Sequence, residues 1–371
     1  MPQIPKTHKA AVVGELGQDV QIKDVPVKAF EDLAPGECLL KMICTGVCHT
    51  DLHAAMGDWP VKPKTPLIGG HEGVGEIVAI GKDTADSPVK VGQRVGVKWI
   101  ASSCLHCEQC RKGREQSEGL SRSVLTLLMP QVDCEDVKIS GYTVDGTFAQ
   151  YVVSWVQSVT PIPDTLESEA AASILCAGLT VYRALKYSET NPSEWIVIPG
   201  AGGGLGHLAV QYAKYLGRRV IAIDSGDEKE KLCRELGADH WIDFSKSKDL
   251  VGDIKAATGG KGPHAALVTT ASPSGYTQAV AYLRPGGHLM AVGLPAEAKL
   301  DAGIFDVVYN SLTIHGSYVG NRQDAMEAIE IAASGAVKCH YATRKLSDVE
   351  QVYKDMGEGK IAGRIVLTME V

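Results

Sequence analysis

From residue 195 onward, short apolar runs alternate with amphipathic stretches, and this rhythm restricts the possible folds more than any other feature. Six runs predict strands, at residues 195–198, 219–223, 240–244, 265–269, 288–292 and 313–316. Four stretches between them predict helices, at residues 205–216, 228–236, 249–258 and 276–283. Strands that alternate with helices pair in parallel through crossover connections. This part of the chain is therefore predicted to form a doubly wound parallel sheet, the Rossmann type of α/β fold.

The earlier part of the chain has a different pattern. Short β-type runs separated by glycine and proline occur at residues 10–13, 38–43, 75–80, 94–99 and 148–153. They predict a mostly β domain whose loops carry the chemistry. Residues 167–186 predict a helix. The tail from Asp324 predicts a helix and a strand at residues 364–368, which we expect to return to the first domain.

The length of the chain predicts two domains. A single core rarely grows past roughly 250–300 residues, and this chain has 371. We assign residues 1–178 and 323–371 to the first, mostly β domain, and residues 179–322 to the second domain.

Charge and hydropathy restrict the partners. The formal net charge is −7 at pH 7, which argues against nucleic acid or an anionic membrane as the main partner. The sequence has no run of 18 apolar residues and no signal-peptide pattern at its start. We expect a cytoplasmic protein that acts on a small molecule.

A glycine-rich turn follows the first strand of the predicted parallel sheet. It contains Gly200, Gly203, Gly204, Leu205 and Gly206. Such a turn lets backbone N–H groups approach a pyrophosphate at a helix N-terminus. Asp224 ends the next strand, where a carboxylate binds the adenosine ribose and repels a 2′-phosphate, so NAD is favoured over NADP. Lys229 could assist at the ribose. The alternatives are close packing for the glycines and a helix N-cap for Asp224.

Two groups of cysteine and histidine predict metal sites of different kinds. Cys48, His71 and Cys176 offer sulfur and imidazole ligands that suit zinc, although each alone could be an ordinary buried residue. A second group has three cysteines at two-residue spacing, which can wrap one ion: Cys104, Cys107 and Cys110. Cys134 is the nearest remaining cysteine that could supply a fourth ligand. Three free surface thiols are the alternative, but such thiols oxidise.

Several motifs together resemble those of zinc-dependent medium-chain alcohol dehydrogenases, and especially the fungal, yeast-type enzymes. They are the triple cysteine, Gly46-Val-Cys-His-Thr-Asp-Leu-His53, Gly69-Gly-His-Glu-Gly73, Ser140-Gly-Tyr-Thr-Val-Asp-Gly-Thr-Phe148, Ile174-Leu-Cys-Ala-Gly178 and Gly316-Ser-Tyr-Val-Gly-Asn-Arg322. The resemblance covers nearly the whole chain. It implies a GroES-like catalytic domain, a Rossmann domain, two zinc ions per subunit, NAD as the cofactor and a homotetramer.

The resemblance also implies roles for individual residues. Cys48, His71 and Cys176 would bind the catalytic zinc, and Asp51 and Glu72 would orient or transiently adjust these ligands. The structural zinc would be bound by Cys104, Cys107, Cys110 and Cys134. A primary short-chain alcohol such as ethanol would bind at the catalytic zinc and be oxidised to an aldehyde, or the reverse.

Other residues would handle the proton and the cofactor. Thr50 would hydrogen-bond the alcohol oxygen, and His53 would pass its proton to solvent through the cofactor ribose. His49 and Arg364 would contact the pyrophosphate, and Thr180 would lie near the nicotinamide. A narrow apolar alcohol pocket would be lined by Trp59, Trp99 and Leu294.

The chain departs from the family pattern between Cys110 and Cys134. The family has seven residues between the third and fourth structural cysteines, and here Glu118 stands where the fourth is expected. Removal of residues 118–133 restores the family spacing. We hypothesise that these sixteen residues are an insertion, from a retained intron or an erroneous gene model. A genuine loop is the alternative, and residues 124–128 would then form an exposed apolar run.

Three other functions are weaker alternatives. A zinc-dependent polyol or secondary-alcohol dehydrogenase would need a wider pocket than Trp59 and Trp99 suggest. A zinc-binding module for nucleic acid disagrees with the net charge of −7 and with the lack of a basic stripe. An inactive scaffold is disfavoured because the expected ligands and relay residues are all present.

Overall fold

The structure is a computed structural model that describes residues 4–117, 137–270, 272–295, 299–361 and 363–371. The chain divides into two compact units. The first unit comprises Met1–Cys176, Gly320–Ala333 and Tyr341–Val371. The second unit comprises Ala177–Val319 and Ser334–His340. Within the described ranges, no helix is long and apolar enough to cross a membrane.

The first unit begins with a run of short strands, as predicted. They are β1 (Thr7–Val13), β2 (Gln21–Pro26), β3 (Glu37–Val47), β4 (Leu67–Ile68), β5 (Gly73–Ile80), β6 (Arg94–Val97), β7 (Ile100–Ser102), β8 (Lys138–Ile139), β9 (Tyr151–Trp155) and β10 (Thr160–Pro161). Three helices interrupt or follow them: α1 (His49–Met56), α2 (Glu108–Arg111) and α3 (Ser168–Ser173).

β3 is the centre of the first unit. It pairs antiparallel with both β5 and β9. Its inward side chains pack with those of β5 and β6 in a buried cluster that includes Leu40, Ile77 and Val95. Burial of this apolar surface holds the strand rigidly. Because α1 begins two residues after β3 ends, the rigid strand fixes the start of that helix.

The second unit contains the predicted parallel sheet. Its strands are β11 (Trp195–Pro199), β12 (Arg219–Asp224), β13 (His240–Asp243), β14 (Ala265–Val268), β15 (His288–Ala291) and β16 (Thr313–Gly316). They are joined in the order β13-β12-β11-β14-β15-β16, with every pair parallel. The sheet order reverses at β11, as in a doubly wound fold. The predicted α/β class is confirmed.

The second unit begins with α4 (Leu179–Lys186), which precedes these strands. Its other helices lie between the strands: α5 (Gly206–Tyr215), α6 (Asp227–Glu235), α7 (Leu250–Ala257), α8 (Pro273–Tyr282) and α9 (Ile304–Tyr309). α4 follows α3 through a π-helical turn at Ile174–Gly178, so the predicted helix at residues 167–186 contains an irregular centre. The sequence did not predict α9.

The tail forms α10 (Arg322–Ala333), β17 (Tyr341–Lys345), α11 (Val349–Gly357) and β18 (Arg364–Thr368). β18 pairs antiparallel with β3, with Ile365 opposite Val47. β17 pairs in parallel with β18 at the edge of the same sheet. The sequence predicted α10 and β18 but not β17 or α11. β17 is exposed over most of its length.

Candidate metal and nucleotide sites

Four potential ligands meet at one end of the first unit's sheet. Cys48 lies between β3 and α1, His71 and Glu72 immediately precede β5, and Cys176 lies in the π-helical turn. One ligand atom from each of the four lies within 4.8 Å of the others. His71 Nε2 is 3.3 Å from Cys176 Sγ. The structure therefore brings together the three predicted zinc ligands and adds Glu72 to them.

The Asp51 carboxylate anchors two of these ligands. It is 2 % exposed, and its Oδ1 lies 2.8 Å from His71 Nδ1. The Cys48 backbone N–H donates to Asp51 Oδ2 over 2.9 Å, and the Gly70 N–H donates to Oδ1 over 3.1 Å. A carboxylate that accepts from His71 Nδ1 leaves Nε2 free to bind a cation.

The Cys48 and Cys176 side chains are hydrogen-bonded to each other. A hydrogen bond from the Cys176 thiol lowers the pKa of Cys48 well below its usual range. The same bond, with burial, raises the pKa of Cys176. A metal cation would take the place of that proton, because thiolates are its ligands. Two sulfur atoms and one imidazole nitrogen form a donor set suited to Zn²⁺.

Glu72 is held between Arg364 and the ligand cluster. It is fully buried, and the Arg364 Nη2 group donates to its Oε1. Burial raises the pKa of the Glu72 carboxyl to about 7, against the opposing effect of the Arg364 guanidinium. Among the described residues, Glu72 Oε2 has no hydrogen-bond partner. An orphaned carboxylate oxygen beside three metal-type ligands is consistent with a cation at this point.

α1 carries the residues predicted to move the proton. Thr50 lies half-buried in its first turn, and His49 is exposed beside it. His53 lies one turn later, with 25 % of its side chain exposed. Its Nδ1 is 2.9 Å from Asp58 Oδ2. The sequence had not singled out Asp58, which follows the helix and gives no periodic signal.

Aromatic rings lie next to the ligand cluster. Trp99 is 3 % exposed and meets the His71 ring edge-on, with 5.0 Å between centroids. Tyr142 lies between Trp99 and Trp59, at 5.5 and 6.3 Å. Trp59, Tyr142 and Trp99 therefore form one aromatic wall, which contains two of the three predicted pocket residues. The third, Leu294, belongs to the second unit and is 62 % exposed.

The three cysteines at two-residue spacing form a second cluster. Their sulfur atoms lie within 4.8 Å of one another: Cys104, Cys107 and Cys110. The Cys107 N–H points to Cys104 Sγ at 3.3 Å, and the Cys110 N–H points to Cys107 Sγ at 3.5 Å. Backbone donors of this kind favour thiolates, as a structural zinc requires. Cys134 and residues 118–133 lie outside the described residues.

The glycine-rich turn of the second unit is closely packed, as one of the two explanations for its glycines requires. Gly200 has φ +83°, which favours glycine. A Cβ at Gly206 would lie 2.0 Å from the Gly200 carbonyl oxygen. Gly203 is hydrogen-bonded to Gly200 inside the turn. The turn leads into the N-terminus of α5, the part of a helix to which a pyrophosphate can bind.

Asp224 stands at the end of β12, 6 % exposed. It accepts hydrogen bonds from the Gly202 N–H at 3.0 Å, the Ser225 N–H at 2.9 Å and Lys229 Nζ at 2.8 Å. These contacts place the predicted carboxylate and lysine directly beside the glycine-rich turn. Thr180, also predicted at the cofactor, is a buried residue of α4.

Two known protein families match the chain. The family described as alcohol dehydrogenase GroES-like domain matches residues 34–164. The family described as zinc-binding dehydrogenase matches residues 204–334. The alcohol dehydrogenase of Schizosaccharomyces pombe is 47% identical over 99% of both chains. Alcohol dehydrogenase 1 of Neurospora crassa is 46% identical, again over 99% of both.

Solved structures with the same fold include the alcohol dehydrogenase of Aeropyrum pernix. It superimposes with a TM-score of 0.83 at 30% identity, over 97% of this chain and 99% of that one. An acetophenone reductase from Geotrichum candidum, solved in complex with NAD, has a TM-score of 0.81 at 28% identity over 99% and 98% of the two chains. With two matching family models and relatives of 46–47% identity over 99% of its length, the chain belongs to the zinc-dependent, medium-chain alcohol dehydrogenase family.

Proposed function

We propose that this zinc- and NAD-dependent alcohol dehydrogenase oxidises short primary alcohols of the ethanol type to aldehydes, or catalyses the reverse reaction. The observation that carries the proposal is the ligand cluster of Cys48, His71 and Cys176 with an aromatic wall directly against it. We assign catalysis to residues 1–178 and 323–371, and NAD binding to residues 179–322.

Cys48, His71 and Cys176 would hold the catalytic metal, with Asp51 fixing the orientation of His71. Zn²⁺ bound there supplies Lewis acidity, which lowers the pKa of an alcohol oxygen. Arg364 balances the buried charge of Glu72, whose free oxygen can adjust toward the ligand cluster. Each of these side chains is nine-tenths or more buried, except Cys48, so water is largely excluded from them.

Thr50 and His53 would remove the hydroxyl proton, which must leave before a hydride can depart from the carbon. Both lie on the same face of α1, three residues apart. His53 is partly exposed, so it can release a proton to solvent. A histidine is suited to this step because its ordinary pKa lies near neutrality.

The aromatic wall would select small substrates. Trp59, Tyr142 and Trp99 form a continuous series of rings that ends at His71. Large rigid side chains leave little room beside the ligand cluster, which favours ethanol over a polyol or a branched secondary alcohol. Leu294 is proposed as a further residue of the alcohol pocket.

Cofactor binding would use the second unit's turn. Its residues are Gly200, Gly203, Gly204, Leu205 and Gly206. Asp224 would accept from the ribose hydroxyls and repel a 2′-phosphate, with Lys229 beside it. Thr180 would contact the nicotinamide side, and His49 and Arg364 the pyrophosphate. Cys104, Cys107, Cys110 and Cys134 would hold the second, structural zinc.

We also propose a cytoplasmic homotetramer. Support comes from an apolar face on the second unit, formed by four residues of α9 that are 71–78% exposed: Ile304, Phe305, Val308 and Tyr309. Exposed apolar surface of this extent is typical of a subunit interface.

Steady-state rates test the substrate. We expect kcat/KM with NAD⁺ to be highest for ethanol, lower for 2-propanol and lowest for sorbitol. Replacement of Trp99 by Ala should raise the 2-propanol rate relative to ethanol, because it widens the pocket. A sorbitol preference in the unmodified enzyme would favour the polyol alternative instead.

A further inference from the structure

The turn after α1 folds back onto His53. The helix ends at Gly57, which has φ +64° and donates its N–H to the His53 carbonyl over 2.8 Å. This left-handed cap favours glycine, and a Cβ there would lie 2.6 Å from Leu16 Cδ1. The reversal brings Asp58 and Trp59 beside the His53 ring.

Asp58 and Trp59 hold that ring from two directions. His53 Nδ1 lies 3.0 Å from Asp58 Oδ1 and 2.9 Å from Oδ2. The Trp59 ring stacks on the imidazole, with 5.4 Å between centroids and 21° between planes. An ionised carboxylate only accepts hydrogen bonds, so the proton of a neutral His53 must be on Nδ1. The other nitrogen, Nε2, is then the one that can accept a proton.

We propose that Asp58 is a positioning residue for the proton-transfer step. It holds His53 in the Nδ1–H tautomer and in one ring orientation, and its charge stabilises the imidazolium that forms when Nε2 takes up the alcohol proton. The hydride leaves for NAD⁺ and the proton leaves through His53, so charge balances without a further reactant. The proposal rests on the relay role proposed for His53 and adds the group that prepares it.

The solvent exposure of Asp58 and His53 limits how much the loss of Asp58 should lower kcat/KM. The Asp58 side chain is 49% exposed and that of His53 is 25% exposed, so solvent screens the pair in part. Removing a general base altogether costs roughly 10²–10⁴-fold. Loss of its orienting partner alone should cost less, about tenfold in kcat/KM.

A double-mutant cycle on the full-length, zinc-loaded enzyme tests the proposal. Asp58→Ala should lower kcat/KM for ethanol oxidation about tenfold, and Asp58→Asn should lower it at least as much, because its amide can donate to Nδ1 and favour the other tautomer. In a His53→Gln background, Asp58→Ala should have no further effect. Asp24→Ala is the matched control, because Asp24 is 61% exposed and pairs with Lys9 rather than a histidine. It should leave the rate unchanged.

The imidazole tautomer provides a readout that a structural role would not change. With ¹⁵N-labelled histidine, the His53 signals, assigned by their loss in His53→Gln, should show Nδ1 protonated in the unmodified enzyme. Asp58→Ala should move them toward a tautomer mixture. An equal effect of Asp58→Ala with and without His53, or an unchanged tautomer, would overturn the proposal. Full activity in His53→Gln would instead show that His53 does not relay the alcohol proton, which contradicts the proposed function rather than the role of Asp58.

Discussion

Gly46 is the point where the backbone of β3 comes closest to the Glu72 carboxylate. A Cβ at this position would lie 2.0 Å from Glu72 Oε2 and 3.1 Å from Glu72 Cβ. The carboxylate has little freedom to move away, because it is fully buried and its other oxygen is held by Arg364. Glycine is therefore required here by the space that a charged neighbour occupies, and its backbone φ plays no part.

Gly46→Ala should weaken binding of the catalytic zinc. The added methyl displaces Glu72 from its place beside the ligands, and such supporting residues typically contribute 10–100-fold to metal affinity. We expect zinc release to a chelator to be at least tenfold faster. Glu72→Asp in the same chain should partly restore retention, because its side chain is one methylene shorter.

Gly14→Ala is the control for this substitution, since its Cβ would meet nothing closer than Gln18 Oε1 at 3.8 Å. It should release zinc at the rate of the unmodified enzyme. If Gly46→Ala and Glu72→Asp accelerate zinc release additively in the double variant, the added methyl group and the Glu72 side chain do not compete for the same space.

The segment after the triple cysteine is tied to α10 of the same unit. Glu115 is 3 % exposed and accepts from the Arg322 backbone N–H at 3.0 Å and from Arg322 Nε at 3.2 Å. Asn321 Nδ2 donates to the Gly113 carbonyl over 2.8 Å. Two elements that are about two hundred residues apart are thus joined around one buried carboxylate.

Arg322→Ala should destabilise this junction. It removes a charged donor from a buried carboxylate, a change that costs about 1–3 kcal/mol. The thermal unfolding midpoint should fall by several degrees. Arg114→Ala, an exposed arginine in the same segment, should leave the midpoint unchanged. A similar fall for both variants would mean that general loss of positive charge, not the Glu115 contact, is responsible.

Elements that appear as an apolar run between turn residues could be predicted from the sequence, and several others could not. All six strands of the parallel sheet were predicted to within one or two residues, because each is an apolar run bounded by turn residues. α1 was not predicted, since its residues His49–Met56 form no apolar face. The π-helical turn at Ile174–Gly178 changes backbone hydrogen bonds only and leaves no side-chain pattern. α9 has apolar residues that face outward.

Prediction of the candidate-site residues from the sequence is limited in the same way. The ligands Cys48, His71 and Cys176 were predicted because their motifs resemble those of a known family, and the structure brings them together. Asp58 and Gly46 act through contacts made only after the chain turns back on itself. Their residue types are common at helix ends and in strands near turns, so the sequence gives no signal for either.

At the scale of the whole molecule, α9 and β16 form an exposed edge of the second unit. Phe305 and Tyr309 stack with 5.3 Å between centroids, and each is about three-quarters exposed. Among the described strands, β16 pairs only with β15, so its other side presents free backbone groups. An exposed edge strand beside an exposed apolar helix is suited to pairing with a second copy of the chain.

Phe305→Glu combined with Tyr309→Glu should therefore break the proposed tetramer. Two charges placed in an apolar interface cannot be buried without partners. Light scattering after size exclusion should show a smaller species than the unmodified enzyme. Phe244→Glu is the control, because Phe244 is also exposed, at 53%, but follows the opposite edge strand, β13. A tetramer that survives the double change would place the interface elsewhere.

The hypothesised insertion at residues 118–133 provides a test of how the proposed structural zinc depends on the length of the chain between its ligands. Between Cys110 and Cys134 there are 23 residues, where the family has seven. Loop-closure entropy grows only as the logarithm of length, so the longer connection costs about 1 kcal/mol, or roughly sixfold in affinity. We therefore expect two zinc ions per subunit in the intact chain, and about sixfold tighter retention of one of them after residues 118–133 are deleted. Metal analysis of both proteins measures this. One zinc in the intact chain and two in the shortened chain would mean that the insertion keeps Cys134 from the other three sulfur ligands, a far larger effect than loop entropy can produce.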